Sequence, residues 1–487
     1  MLPFENLPAP PAKPAAALLK GVTVLDLTTS IAGPYATMLL ADMGARVIKI
    51  ERPGHGDDCR AWGPPWHDGE SLWFLSVNRN KESVTLDYSG EAGRRVLYDM
   101  VKKADVVIVN LVGRVQKKLG IDYATLSALN PKLVFVSLTG FGMEGARRDF
   151  PCYDLIAEGY SGVMDLTGEA DSPPQKVGTP AADLISGMDA AMATLGALFE
   201  RAGSGKGHQI DIAMVDSMTR FMSPRIVPYL GAGEIPHRSG ARDSVIAVYQ
   251  AFDTQDKPLT LGLGNDAIWK RFWEAVGQPA KGENPKHAKN ADRRADRAAI
   301  VADIEAILRT KPRDEWLAIF KNAKVPAGPV NGVDDIARDQ ELLSRGLLYT
   351  ADTNGRRIPQ VGFGIGIDGA NATYRSAPPK LGEHTAAVGT GFCFHGHGLA
   401  NPLALRSSGS AERSWEPRAC LQEFAGLRVK ARGHYPLGMV NSLACRARAG
   451  FQSQQYVAHP PICPWLAHRR DFVRRRAEAQ HHLHPRR

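Results

Sequence analysis

Apolar residues recur along this chain in two rhythms. Short, nearly uninterrupted runs at Gly21–Asp26 (GVTVLD), Ala45–Glu51 (ARVIKIE), SVTLD, DVVIVN, LVFVSLTGFG and HQIDIAM have the texture of strands buried in a sheet. Between them lie helical patterns, one around Tyr35–Asp42 closed by Gly44, another in EAGRRVLYDMVKKA. Strands alternating with helices predict an α/β fold with a parallel sheet, whose ligands bind outside the carboxyl ends of the strands. Arg52, Lys81 and Asn110 are expected at those ends, with Lys118 on the helix beyond. They are either scattered solvated charges or the rim of a groove for a phosphate-rich ligand. The first strand–helix–strand unit, with Glu51 closing its second strand, has the form of a nucleotide-binding βαβ. Its turn holds only Gly33, so the close approach of a dinucleotide pyrophosphate is not expected.

The stretch Lys176–Asp216 is apolar on nearly every face between Leu184 and Phe199, which predicts a buried helix. Thr179 can cap it, with Pro180 at the first helical position. Asp183 then falls in the first turn, where backbone N–H groups favour an ionised, partly solvated carboxylate. Such a residue either complements the helix dipole or marks a site. GSGKG at Gly203–Gly207 leaves a helix and enters a strand, the reverse of a phosphate loop.

The same patterns divide the chain. Residues 1–17, rich in Pro and Ala, read as a flexible arm, and 18–215 as the first part of a large domain. Residues 216–244 carry Pro224, Pro228, Gly231, Gly233 and Pro236 and read as a linker. A smaller α+β domain, a hairpin followed by amphipathic helices, is expected over 245–325. A return linker over 326–345 and the last part of the large domain over 346–388 complete the body. Periodicity then ends. The stretch 389–487 holds four of the six cysteines and eight of the fourteen histidines, and its composition suits a frame-shifted or disordered basic extension.

Charge follows that division. The net +9 comes from the last stretch, since residues 392–487 contain 15 Lys and Arg against 5 Asp and Glu. The body is balanced, which disfavours a nucleic-acid surface. No run of 18 uncharged apolar residues suggests a membrane span. Two cysteines before residue 390 suit a reducing cytoplasm. Cys393, His395 and His397 lack a matching second half, so no metal is expected.

Several motifs, in order, resemble the family III CoA-transferases: VLDLTTSIAGPYATMLLADMGARVIKIERPGHGD, NRNKESVTLD, YDLIAEGYSGVMDLTGEADSPPQKVG, ADLISGM, GSGKGHQIDIAMVDS, VPAGPVN and APPKLGEHT. They cover about residues 18–387. The resemblance implies a Rossmann-type large domain built from both ends of this region, a smaller domain, and two protomers interlocked like chain links. It implies Asp183 as a nucleophile that passes through an aspartyl anhydride and an aspartyl-CoA thioester, moving CoA from an acyl-CoA donor to a carboxylic acid. Coenzyme A esters would be substrates, with no tightly bound cofactor. Ile31 and Ala32 match the turn contacting CoA, Arg52 and Lys81 basic residues near its adenosine phosphates, and Asn110 an Asn of the groove. Lys118 aligns with a basic position, and Trp62 and Tyr153 with aromatics near the acyl site. NLVGR departs from the family's N-F-R-P-G, and LGLGN is a weak counterpart of a glycine-rich flap.

Two rivals remain. A 2-methylacyl-CoA racemase needs two acid/base groups, and its relatives place a His where this chain has Cys152-Tyr153-Asp154. A CoA-binding protein without turnover is the other.

Overall fold

The computed structural model describes residues 2–353 and 355–391. The readings made for the basic stretch beyond them lie outside the described residues.

Six strands form the central sheet: β1 (Thr23–Leu27), β2 (Arg46–Glu51), β3 (Lys81–Thr85), β4 (Val106–Val109), β5 (Val134–Thr139) and β6 (Gln209–Ala213). Their order is β3-β2-β1-β4-β5-β6 and all neighbours are parallel. This is the doubly wound Rossmann order, which reverses direction between β1 and β4. Helices cover both faces, which is why β4 and β5 are buried at every position. On one face α1 (Ala32–Asp42), through Leu40, and the long α5 (Ala181–Ser204) pack with Val24, Val106 and Val134. On the other, α2 (Glu91–Val101) contributes Val96, Leu97 and Met100. After β4 come α3 (Gly113–Leu119) and, beyond β5, α4 (Asp154–Ser161).

The span expected as a linker is mostly helical: α6 (Met214–Phe221) and α7 (Ser223–Ala232) occupy it. Pro224 sits in the first turn of α7, where its missing N–H costs nothing, so proline here opens a helix. A second sheet pairs β7 (Tyr249–Phe252) with β8 (Leu259–Gly262) antiparallel. The helices α8 (Asp266–Ala275), α9 (Arg297–Leu308) and α10 (Arg313–Asn322) pack on it through Trp269, Phe272, Ile304, Trp316 and Phe320. The expected return linker opens with β9 (Ala327–Pro329), the third strand of this sheet; three residues are too few to show alternation.

The hairpin β10 (Leu348–Thr353) and β11 (Arg356–Val361) follows. It holds the N-terminal segment, which is docked and not loose: Thr350 N–H and Oγ1–H donate to the carbonyls of Pro8 and Phe4 at 2.8 and 2.6 Å. The chain then returns to the open edge of β3. His384 N–H donates to the Ser83 carbonyl at 2.9 Å, Thr85 N–H to Thr385 Oγ1 at 3.1 Å, and Gly382 N–H to Ser83 Oγ at 2.8 Å. The helix α11 (Thr385–Gly391) starts there.

Helix α5 is not buried all round. Met188, Met192 and Phe199 are 46%, 58% and 86% exposed, because α1, α4 and α6 cover only part of its circumference. On length and composition it could cross a membrane, yet it carries Asp183, Asp189, Glu200 and Arg201 and packs along α1.

Candidate active site

Asp183 lies in the first turn of α5, but the cap differs from the sequence reading. The N-cap is Pro180, and Thr179 makes no capping bond. Asp154, at the start of α4, supplies the cap: its Oδ1 accepts from the N–H of Ala182 at 2.8 Å and of Asp183 at 3.2 Å. The helix donors therefore serve Asp154. Burial, reinforced by the neighbouring Asp154 charge, pushes the Asp183 carboxyl up to about 7. The expectation of a helix-stabilised, readily ionised Asp183 is corrected: a second carboxylate took the stabilising donors. The sequence reading named Asp154 only as the last residue of the Cys152-Tyr153-Asp154 stretch and gave it no role at the Asp183 helix.

The raised value ties stability to pH. A carboxyl whose native value lies above its unfolded value makes the fold less stable as pH climbs from about 4 through about 7. Asp183→Asn should therefore match the parent near pH 3.5 and exceed it by about 1–3 kcal/mol at pH 8. Urea midpoints at the two pH values measure this; equal midpoints at pH 8 would show that the carboxylate is not destabilised.

The start of α1 lies against α5. A Cβ on Gly187 would come within 2.7 Å of the Ala32 carbonyl oxygen, so only glycine permits this crossing. Ile31 and Ala32 are buried there, and Ile31 shares an apolar cluster with Phe74 and Leu75, against which Leu184 and Trp62 pack. Trp62 meets Trp73 edge to face at 6.3 Å. The turn after β1, one predicted aromatic and Leu184, the residue that follows Asp183, thus meet in one cluster. Tyr153, next to Asp154, is 68% exposed.

A cleft of about 330 Å³ opens at the carboxyl ends of β1, β2 and β3 and against α3, the switch point of the sheet. Leu27, Ile50, Leu86, Leu111, Val115 and Leu119 give it apolar walls, and Arg52 is the cation among its described lining residues. Arg52 is itself exposed and paired with Asp58 at 2.6 Å. Asn110 binds the loop after β1 in both directions, accepting from Thr29 N–H at 3.1 Å and donating to the Thr29 carbonyl at 2.8 Å. Lys118 is exposed on α3, beside Leu119.

Lys81 is the clear departure. It begins β3 instead of ending it and is fully buried, its Nζ donating to Asp26 at 3.1 Å, to the Pro34 carbonyl at 2.8 Å and to Asn78 at 2.8 Å. No phosphate reaches it there. Burial, only partly offset by Asp26, pulls its ammonium down to about 8. Lys49 is equally buried, 2.8 Å from Asp57 Oδ2 and donating to the Thr28 carbonyl at 2.8 Å. Burial would raise Asp26, yet Lys49, Lys81 and the hydroxyls of Thr28 and Thr37 hold it well below the usual range. Asp57 Oδ1 in turn accepts from Ser30 N–H at 2.8 Å. The charged layer thus fastens the loop Thr28–Ser30, where Ser30 adopts φ 71°. Glu51 is equally committed, pairing with Arg60 at 2.7 Å and accepting from Asp57 N–H and Ser83 Oγ–H, which leaves it no ribose to bind.

A doubly wound sheet with a switch-point cleft defines the class, an α/β protein of the Rossmann kind, and a desolvated carboxylate stands at the start of α5. The comparisons sharpen this. The family described as CoA-transferase family III matches residues 19–385. The acetyl-CoA:oxalate CoA-transferase of Acetobacter aceti is 37% identical over 386 residues, 79% of this chain and 97% of that one. The succinate–glutarate CoA-transferase of Agrobacterium fabrum is 38% identical over 378 residues, 76% of this chain and 94% of that one. A crystal structure of a CAIB/BAIF family protein from Brucella suis superposes with a TM-score of 0.69 at 37% identity, covering 77% of this chain and 99% of that one. The chain belongs to CoA-transferase family III and is an enzyme of that transferase class.

Proposed function

We propose that this enzyme moves CoA between an acyl-CoA and a carboxylic acid by covalent catalysis on Asp183. The observation that carries the reading is a desolvated carboxylate in the first turn of α5, whose next residue, Leu184, packs in one cluster with Ile31 of the loop after β1, while Thr28 and Thr29 of that loop line the switch-point cleft. The Asp183 oxygen attacks the thioester carbon and expels CoA thiolate, leaving an aspartyl–acyl anhydride. The thiolate attacks the aspartyl carbonyl, forming an aspartyl-CoA thioester and releasing the donor acid. The acceptor carboxylate then attacks that thioester and expels the thiolate. Thiolate attack on the new anhydride's acyl carbonyl frees Asp183 and the product ester. Each intermediate keeps the acyl-transfer potential, provided water is excluded. The apolar walls of the cleft suit an adenine ring, and Arg52 at its rim suits a phosphate. The names of the two relatives favour small mono- and dicarboxylic acids as partners in exchange.

Cys152 argues against the racemase. Burial and the Asp183 charge push its thiol up to about 11, so it is a poor proton-transfer group near neutrality. Exposed Met192, Phe199, Leu230 and Ile235 support a second protomer closing over α5 and α7, and the free thiols of Cys59 and Cys152 among the described residues suit the cytoplasm. Intact-protein mass spectrometry with a panel of acyl-CoA esters, followed by hydroxylamine trapping, tests the chemistry. A CoA-sized adduct and a hydroxamate on the Asp183 peptide support it; C2 deuterium exchange without an adduct supports racemisation. Arg52→Ala should raise KM for CoA esters about tenfold with kcat little changed. A fall in kcat at constant KM would remove Arg52 from the cleft's binding role.

A further inference from the structure

We propose that Asp154 is a positioning residue for acyl transfer: its carboxylate fixes the turn that carries Asp183 and sets the negative charge against which Asp183 reacts. The proposal rests on the reading of Asp183 as the nucleophile. One oxygen of Asp154 takes the N–H groups of both Ala182 and Asp183. Among the described residues nothing donates a hydrogen bond to the Asp183 carboxylate, so the side chain is held through its backbone and left open for attack.

The charge environment of that turn is one-sided. From α4 come Asp154 and Glu158, and Cys152 lies just before them. From α1 come Tyr35, whose ring meets Gly187, and Asp42, which is spent on Arg79. From α6 come Arg220, paired with Asp189 further along α5, and Asp216, which acts on Asp211 of β6. Asp154 is thus the charge that acts on Asp183, and it acts in one direction.

Repulsion between two close carboxylates is present in the free enzyme and vanishes when Asp183 becomes an anhydride or a thioester, because either form is neutral. The acylated states gain relative to the free one, and the free carboxylate is more basic and a better nucleophile. Glu158 extends the pair: it is buried, its Oε2 accepts from Val177 N–H at 2.9 Å, and burial together with Asp154 raises its carboxyl. The loop before α5 is thereby tied to the same acidic group.

The test compares Asp154→Asn and Asp154→Glu with the parent enzyme. The readouts are kcat/KM from pH 5 to 9 and the yield of CoA adduct on the Asp183 peptide. Asparagine keeps an oxygen for the two N–H groups and removes the charge. Its acid limb should move down by at least about one pH unit, with a severalfold lower adduct yield at pH 8. Glutamate keeps the charge, and its limb should stay near the parent's. Coincident limbs for asparagine and parent, with the adduct present on the parent's Asp183, overturn the proposal alone. A limb that falls equally in both variants also overturns it, because charge then cannot be the cause. Absence of any adduct on the parent's Asp183 peptide overturns the nucleophile reading as well.

Discussion

Asp183→Ala is expected to lose turnover by on the order of 10⁴-fold or more while still binding CoA esters, since alanine lacks the carboxylate on which the proposed mechanism forms its covalent intermediates. The cleft proposed for the nucleotide end lies at the ends of β1–β3, and Asp183 is not among its lining residues. Isothermal titration with CoA should give a Kd within about threefold of the parent's, a difference below 1 kcal/mol. Alanine also relieves the burial of a carboxylate held at about 7, so the variant should melt no lower than the parent above that pH. Loss of activity with a lowered melting temperature and lost CoA affinity would instead indicate a structural role.

The second large effect concerns Lys49. Lys49→Met leaves Asp57 Oδ2 without the ammonium 2.8 Å away and takes one of two cations from Asp26, in a layer with no solvent access. Breaking a buried pair from one side costs about 3–5 kcal/mol, because the remaining carboxylate stays buried and uncompensated. The loss should be largest near neutrality. Asp26 is held below its unfolded value, so its contribution is present above about pH 4 and fades in more acid solution. A urea midpoint lowered by less than 1 kcal/mol equivalent at pH 7 would mean that the charged layer is not what holds the loop. Since Lys49 also donates to Thr28 and, through Asp57, secures Ser30, the surviving folded fraction should bind CoA esters more weakly.

Much of this architecture was legible as pattern. Buried strands announce themselves as apolar runs, and the order of elements is a local property of the chain. The nucleophile candidate was legible through its motif. What stayed hidden was three-dimensional pairing. Lys49 interrupts an apolar strand, RVIKIE, which signals a buried partner but names none. Lys81 looked like a rim cation because a strand start and a strand end cannot be told apart to within four residues. Asp154 lies about 30 residues from the helix it caps, and a cap supplied from another element leaves no local trace. The prolines of α7 misled because proline marks both a loop and a helix start.

The seam between β3 and residues 382–385 sets a schedule for synthesis. Its bonds join positions about 300 residues apart, so a ribosome adding 5–20 residues per second has made the strand roughly 15–60 s before its cover emerges. During that interval the sheet has an open edge able to pair with a neighbouring nascent chain. The smaller sheet and its helices, which share an apolar cluster of their own, are translated inside the same window, while the edge of β3 must wait. The vulnerable species in a cell is therefore the two-thirds-finished chain, and holding its exposed strand is the task this topology hands to chaperones.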